Sequence, residues 1–169
     1  MSETGDFLAV TMPRFTEAET ALHNGDAGPR IAMWSRNDPV TLFGAAVTKT
    51  GQAGVRATFD WLGSSFSDCT AYQNEVIAAG ASGDLAYTVA FEHTTCSVNG
   101  APPQPYMLRV TTVFRREHGE WRIVHRHGDS LVSRAAAEIV EQLSADGRVK
   151  ARLQRVPGRG RARGVPGPG

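Results

Sequence analysis

The apolar positions of this chain change period once along its length. In the first third they recur at intervals of three and four, and after Asp68 they tend to alternate by twos. Phe15, Ala18, Ala21 and Leu22 form one stripe within residues 6–24, with Glu17 and Glu19 outside it, which predicts an amphipathic helix. Pro13 inside that stretch predicts either a kink or the start of the helix's main part, because proline brings no amide proton. Asn24-Gly25-Asp26 and Gly28-Pro29 end the element. Residues 30–35 predict a short second helix with Ile31 and Trp34 inward, followed by a turn at Asn37-Asp38-Pro39. Residues 40–47 read as a strand. Gly51 opens a third helix that reaches about Phe66, with Val55, Phe59 and Leu62 on one side.

Four segments then read as strands: 70–79, 86–97, 106–116 and 121–131, each rich in β-branched or aromatic residues. Asn99-Gly100 and His118-Gly119 predict hairpin loops, with Glu117 and Glu120 flanking the second. Residues 134–143 predict a short alanine-rich helix. Beyond Ala145 the chain is Gly, Pro and Arg with little apolar content, which predicts a disordered tail. The expected organisation is one domain over residues 1–145 and a tail over 146–169. The element order predicts an α+β cone, a curved antiparallel sheet packed on N-terminal helices, whose open end suits a ligand.

Charge adds one asymmetry. The formal net charge of +1 combines a stretch from Gly147 onward with seven basic and no acidic residues and a remainder with eleven basic against seventeen acidic ones. Arginines interleaved with Gly and Pro, and no aromatic after Trp121, make nucleic acid an unfavoured partner and a solubilising end the expectation. No apolar run reaches the length of a spanning helix, and the acidic start lacks a secretory pattern. Cys69 and Cys96, the only cysteines, read as small apolar groups in a reducing compartment. A cytoplasmic protein with no membrane partner is expected.

The candidate chemistry centres on Glu120-Trp121-Arg122-Ile123-Val124-His125-Arg126-His127-Gly128-Asp129-Ser130. A strand period of two puts Trp121, Ile123, His125 and His127 on one face, so both imidazoles are expected in the pocket as proton carriers. A two-residue loop at His118-Gly119 pairs Thr112 with His125 and Val110 with His127, which turns Arg109 away from the histidines unless a bulge intervenes. Asp129 either orients an imidazole or caps the turn with Ser130. Glu92 breaks an apolar strand and is either an internal acid or a solvated outer residue. Trp34 and Tyr106 are the aromatics placed nearest the pocket mouth, whereas Phe43, Phe59 and Trp61 read as core. A metal is not expected, since no further His or Cys stands at ligand spacing from the His-x-His pair. Phosphate-loop, activated-serine and Cys-x-x-Cys motifs are absent from the sequence.

With Asn24-Gly25-Asp26, Ala32-Met33-Trp34 and the closing Gly119-Glu120-Trp121-Arg122-Ile123-Val124-His125-Arg126-His127, the chain resembles the NTF2-like superfamily over residues 6–131. It is most similar to the SnoaL-like branch (the DUF4440 group). The resemblance implies an α+β cone and a homodimer through the outer sheet face. It implies no single activity: the superfamily includes isomerases, cyclases, dehydratases, epoxide hydrolases and non-catalytic modules. The three acid–base positions of its steroid isomerases fall at Ala18, Leu42 and near Thr111, none of which matches. Asp38-Pro39-Val40 is similar to their base-bearing segment but stands four residues early, so Asp38 is kept as a ligand-contact candidate. The expectation is a cofactor-free acid–base isomerase, cyclase or dehydratase on an apolar carbonyl compound, with His125 and His127 catalytic and Trp34, Asp38, Glu92, Tyr106, Arg109 and Asp129 around the ligand. The alternative is a non-catalytic ligand-binding or dimeric assembly module.

Overall fold

A computed structural model describes residues 2–130. The helix expected over 134–143, the domain limit at 145 and the tail lie outside the described residues. Helix α1 (Glu3–Leu22) is capped by Ser2, whose hydroxyl accepts from the Gly5 amide, and it runs through Pro13. Short α2 (Gly28–Ala32) begins with Pro29 in its first turn, where the missing amide proton costs nothing. Strand β1 (Thr41–Phe43), only three residues long, and β2 (Thr48–Thr50) replace the single strand expected over 40–47. Helix α3 (Gly51–Ser65) leads into β3 (Phe66–Ser82), β4 (Leu85–Val98), β5 (Gln104–Glu117) and β6 (Glu120–Ser130).

The six strands form one sheet in the order β2-β1-β6-β5-β4-β3. Every neighbouring pair is antiparallel except β1 on β6, so the sheet is mixed rather than antiparallel throughout. Asn99, Gly100, His118 and Gly119 all take positive φ, the backbone that matches strand twist in tight hairpins. Glu117 pairs with Glu120 across the two-residue loop, as expected.

The helices cover one face of the sheet. Phe7, Phe15, Ala18 and Leu22 of α1 and Val55 and Phe59 of α3 pack there against Phe114, Trp121 and Ile123. Phe7 meets Phe114 and Trp121 edge-on at 5.1 Å. Trp34 joins this core. Phe43 and Trp61, expected inside, are 39% and 49% exposed. Helix α3 sits close to the turn after α1, because Gly63 leaves room: a Cβ there would lie 3.1 Å from the Ala27 Cβ.

One irregularity decides the facing of the site. Phe114 pairs with Ile123 but Val113 pairs with His125, so Val124 is an extra residue in β6. Trp121 and Ile123 are buried as the alternation predicts. After the bulge the parity reverses, and Arg126 and Gly128 point inward. The expected Thr112–His125 and Val110–His127 pairings are each off by one: Thr112 faces Arg126 and Val110 faces Gly128.

Candidate functional site

Below the helices a cavity of about 350 Å³ opens between α1, α3 and the sheet. Its walls are largely apolar, with Leu22, Leu42, Phe59, Leu62 and Leu108 among them. Glu19, His23, Glu92, Tyr106 and Arg126 converge on it, with Thr58 and Ser130 also in its wall. A hollow of about 700 Å³ between α2 and α3 is larger, but the charged groups on its wall are surface residues such as Arg56 and Asp60. Converging buried polar groups in an apolar wall make the first cavity the candidate site.

His23 caps the end of α1. Its Nδ1 lies 2.7 Å from the Glu19 carbonyl oxygen. A carbonyl only accepts, so Nδ1 donates, and Nε2 of the neutral ring is left as an acceptor. The Tyr106 hydroxyl donates to it at 2.6 Å. Phe66 stacks on the imidazole at 4.7 Å and fixes its plane. Burial pushes the Tyr106 phenol well above its ordinary value, so it rests protonated.

Glu19 stands beneath this pair. Its Oε1 accepts from Arg30 Nε, and its Oε2 is 3.8 Å from His23 Nδ1. Burial opposes its ionisation, but the charges of Arg30 and Arg126, with the Arg30 hydrogen bond, outweigh that and hold the carboxyl below its ordinary value. Arg30 is fully buried, with Phe15 and Phe59 rings 4.7 and 5.0 Å from its guanidinium carbon.

Arg126 reaches diagonally over the Gly128–Val110–Ala90 row to Glu92, two strands away. Both contacts of the bidentate pair are 2.7 Å. Burial works against the Arg126 charge, and Glu92 more than restores it. Tyr72 lies within the field of the same charges. Burial first, and then Glu92 and Glu19, raise its phenol well above the ordinary value.

His125 and His127, expected in the pocket, stand on the opposite, outer face because of the Val124 bulge. His125 Nδ1 meets the Thr41 hydroxyl at 2.7 Å, and His127 Nε2 meets Asp129 at 2.9 Å. Phe43 packs edge-on against both imidazoles. Burial, and then the neighbouring His127, lower the His125 value. Arg109 pairs in register with Asp129 on that same outer face, so the bulge alternative was the right one. Asp129 is exposed. Trp34 is core, 5.9 Å from Phe59. Asp38 accepts from the Gln52 amide and ties down the start of α3. Of the eight expected site residues, only Glu92 and Tyr106 line the cavity.

Glu19, His23 and Arg126 come in their place, with Arg30 behind them. Glu19 lies outside the apolar stripe in the sequence pattern, yet it is buried. The signal was present in the spacing: Phe15, Glu19 and His23 follow one another at intervals of four, which stacks them on one helix face.

The sequence matches the SnoaL-like domain family over residues 13–133. The chain belongs to that family. Solved structures of NTF2-like proteins resemble it in fold. An NTF2-like family protein from Streptomyces avermitilis, proposed to be a dehydratase, shares 16% identity at a TM-score of 0.60, over 76% of this chain and 96% of that one. An NTF2-like protein of unknown function from Pseudomonas putida shares 21% at 0.59, over 76% and 87%. A protein of unknown function with a cystatin-like fold from Nostoc punctiforme shares 16% at 0.62, over 79% and 97%. At these identities the likeness of this SnoaL-like chain to them is one of fold. A comparison with curated protein sequences finds no match.

Proposed function

We propose that this SnoaL-like domain binds a small, largely apolar carbonyl compound in the α1–α3 cavity and moves a proton on it, as an isomerase, cyclase or dehydratase does. The observation that carries this reading is the hydrogen-bonded series Glu19 C=O, His23 Nδ1–H, His23 Nε2 and Tyr106 O–H at the cavity wall. Tyr106 passes its proton to Nε2 as its oxygen takes one from the ligand. The imidazolium so formed lies beside the Glu19 carboxylate, which stabilises it. Run backwards, the same groups return the proton to a second atom. The proton carriers are His23 and Tyr106 rather than the expected His125 and His127, which stand on the outer face.

The test is turnover of carbonyl-bearing apolar compounds found by binding. Tyr106→Phe and His23→Gln should each lower it about 10²–10⁴-fold, the usual worth of a positioned proton-transfer group. Full turnover in both variants would reject the assignment.

A second reading, a dimeric binding or assembly module, draws on the outer sheet face. Phe43, Tyr87 and Val89 are exposed there, and Thr41, His125, Val113 and Tyr87 form one continuous row across four strands. An apolar surface of this kind favours a second copy of the chain as partner.

A further inference from the structure

The proposed ligand site is lined by two carboxylates, Glu19 and Glu92, and one guanidinium, Arg126, with Arg30 buried behind the wall and its two terminal nitrogens without a hydrogen-bond partner among the described residues. Arg126 presents both terminal nitrogens to Glu92, and Arg30 presents Nε to Glu19. The cavity wall carries no other Asp, Glu, Lys or Arg among the described residues. Around its mouth stand Val47, Trp61 and Val98, of which Trp61 and Val98 are substantially exposed. They offer no charge to capture an ionic group.

We infer that this cavity takes uncharged ligands and turns away both anions and cations, with Glu92 as the residue that sets this selectivity by neutralising Arg126. The inference rests on the ligand-binding reading above and narrows its substrate class. A carboxylate or phosphate entering the cavity loses its hydration and meets an arginine whose field Glu92 has cancelled. An ammonium group meets carboxylates that the arginines have cancelled in the same way. A ketone, aldehyde or neutral ester gives up much less hydration on entering the apolar part of the cavity. The volume equals that of about twelve liquid waters, which suits a compact one-ring molecule rather than a nucleotide-linked one.

Three probes of similar size and different charge test this on the full chain: acetophenone, benzoate and benzylammonium. NMR titration followed at Trp61 and Leu42 locates the binding and gives dissociation constants. Acetophenone should bind in the cavity about tenfold or more tightly than either ion, a margin of about 1.4 kcal/mol. Benzoate or benzylammonium binding there as tightly as acetophenone would overturn the selectivity while leaving the cavity a ligand site. No cavity response to any of the three would overturn the ligand-site reading and this inference with it. Glu92→Gln should raise benzoate affinity about tenfold by unmasking Arg126. A folded variant with no such gain would reject the role of Glu92. The Glu92→Gln/Arg126→Gln double variant should keep the preference for acetophenone, and its loss would count against the inference. If Glu92→Gln does not fold, the three probes on the unaltered chain still decide the selectivity.

Discussion

Glu92 of β4 and Arg126 of β6 are joined by two 2.7 Å contacts across a strand to which neither belongs. Both side chains are almost fully buried. Removing one partner strands the other charge. Glu92→Ala should therefore cost about 3–5 kcal/mol, whereas Glu92→Leu with Arg126→Met together should be close to neutral. Denaturant melts of the three proteins check this, and equal losses in the single and double variants would contradict it.

Glu19 makes stability depend on acid. Its folded value lies below the ordinary 4.5, so the folded state holds its proton less tightly than the unfolded chain does. The stabilisation is complete above the ordinary value and is lost as pH falls through the folded one. Thermal midpoints measured down through that range should fall more steeply for the unaltered chain than for Glu19→Gln. Parallel curves would show that Glu19 carries no such linkage.

Gly63 tests the seating of α3. A Cβ at this position would lie 3.1 Å from the Ala27 Cβ and 3.3 Å from the Gly25 carbonyl oxygen. Gly63→Val should destabilise by about 1–3 kcal/mol through overpacking, read as a lowered unfolding midpoint. An unchanged midpoint would mean that the turn yields at little cost.

The outer face gives an assembly prediction. Val89 and Tyr87 stand on β4 toward the ends of its cross-strand rows, 38% and 45% exposed. Tyr87→Lys with Val89→Lys should convert a dimer to monomer at micromolar concentration in sedimentation, with the fold intact by circular dichroism, because buried like charges oppose pairing. A double variant that stays dimeric would place the interface elsewhere.

The sequence alone determined the helices and the four long strands, because their signals are local, though not the split of residues 40–50 into β1 and β2. The change from a helical to an alternating period, the glycine boundaries, and the Asn99-Gly100 and His118-Gly119 turns each act within a few residues. Together with the closing Gly-x-Trp strand they sufficed for the α+β cone. Even the spacing of Phe15, Glu19 and His23 was legible in principle, since i and i+4 positions share a helix face. What tertiary structure decided was which face of β6 enters the cavity. A single extra residue, Val124, reverses the side-chain parity and exchanges His125 and His127 for Arg126. A strand's alternation has no memory across a bulge, and the bulge is set by how β6 pairs with β5, not by β6 itself. The meetings of His23 with Tyr106 and of Arg126 with Glu92 likewise span 83 and 34 residues. Only the folded sheet and the helices packed on it bring such distant groups into hydrogen-bond range.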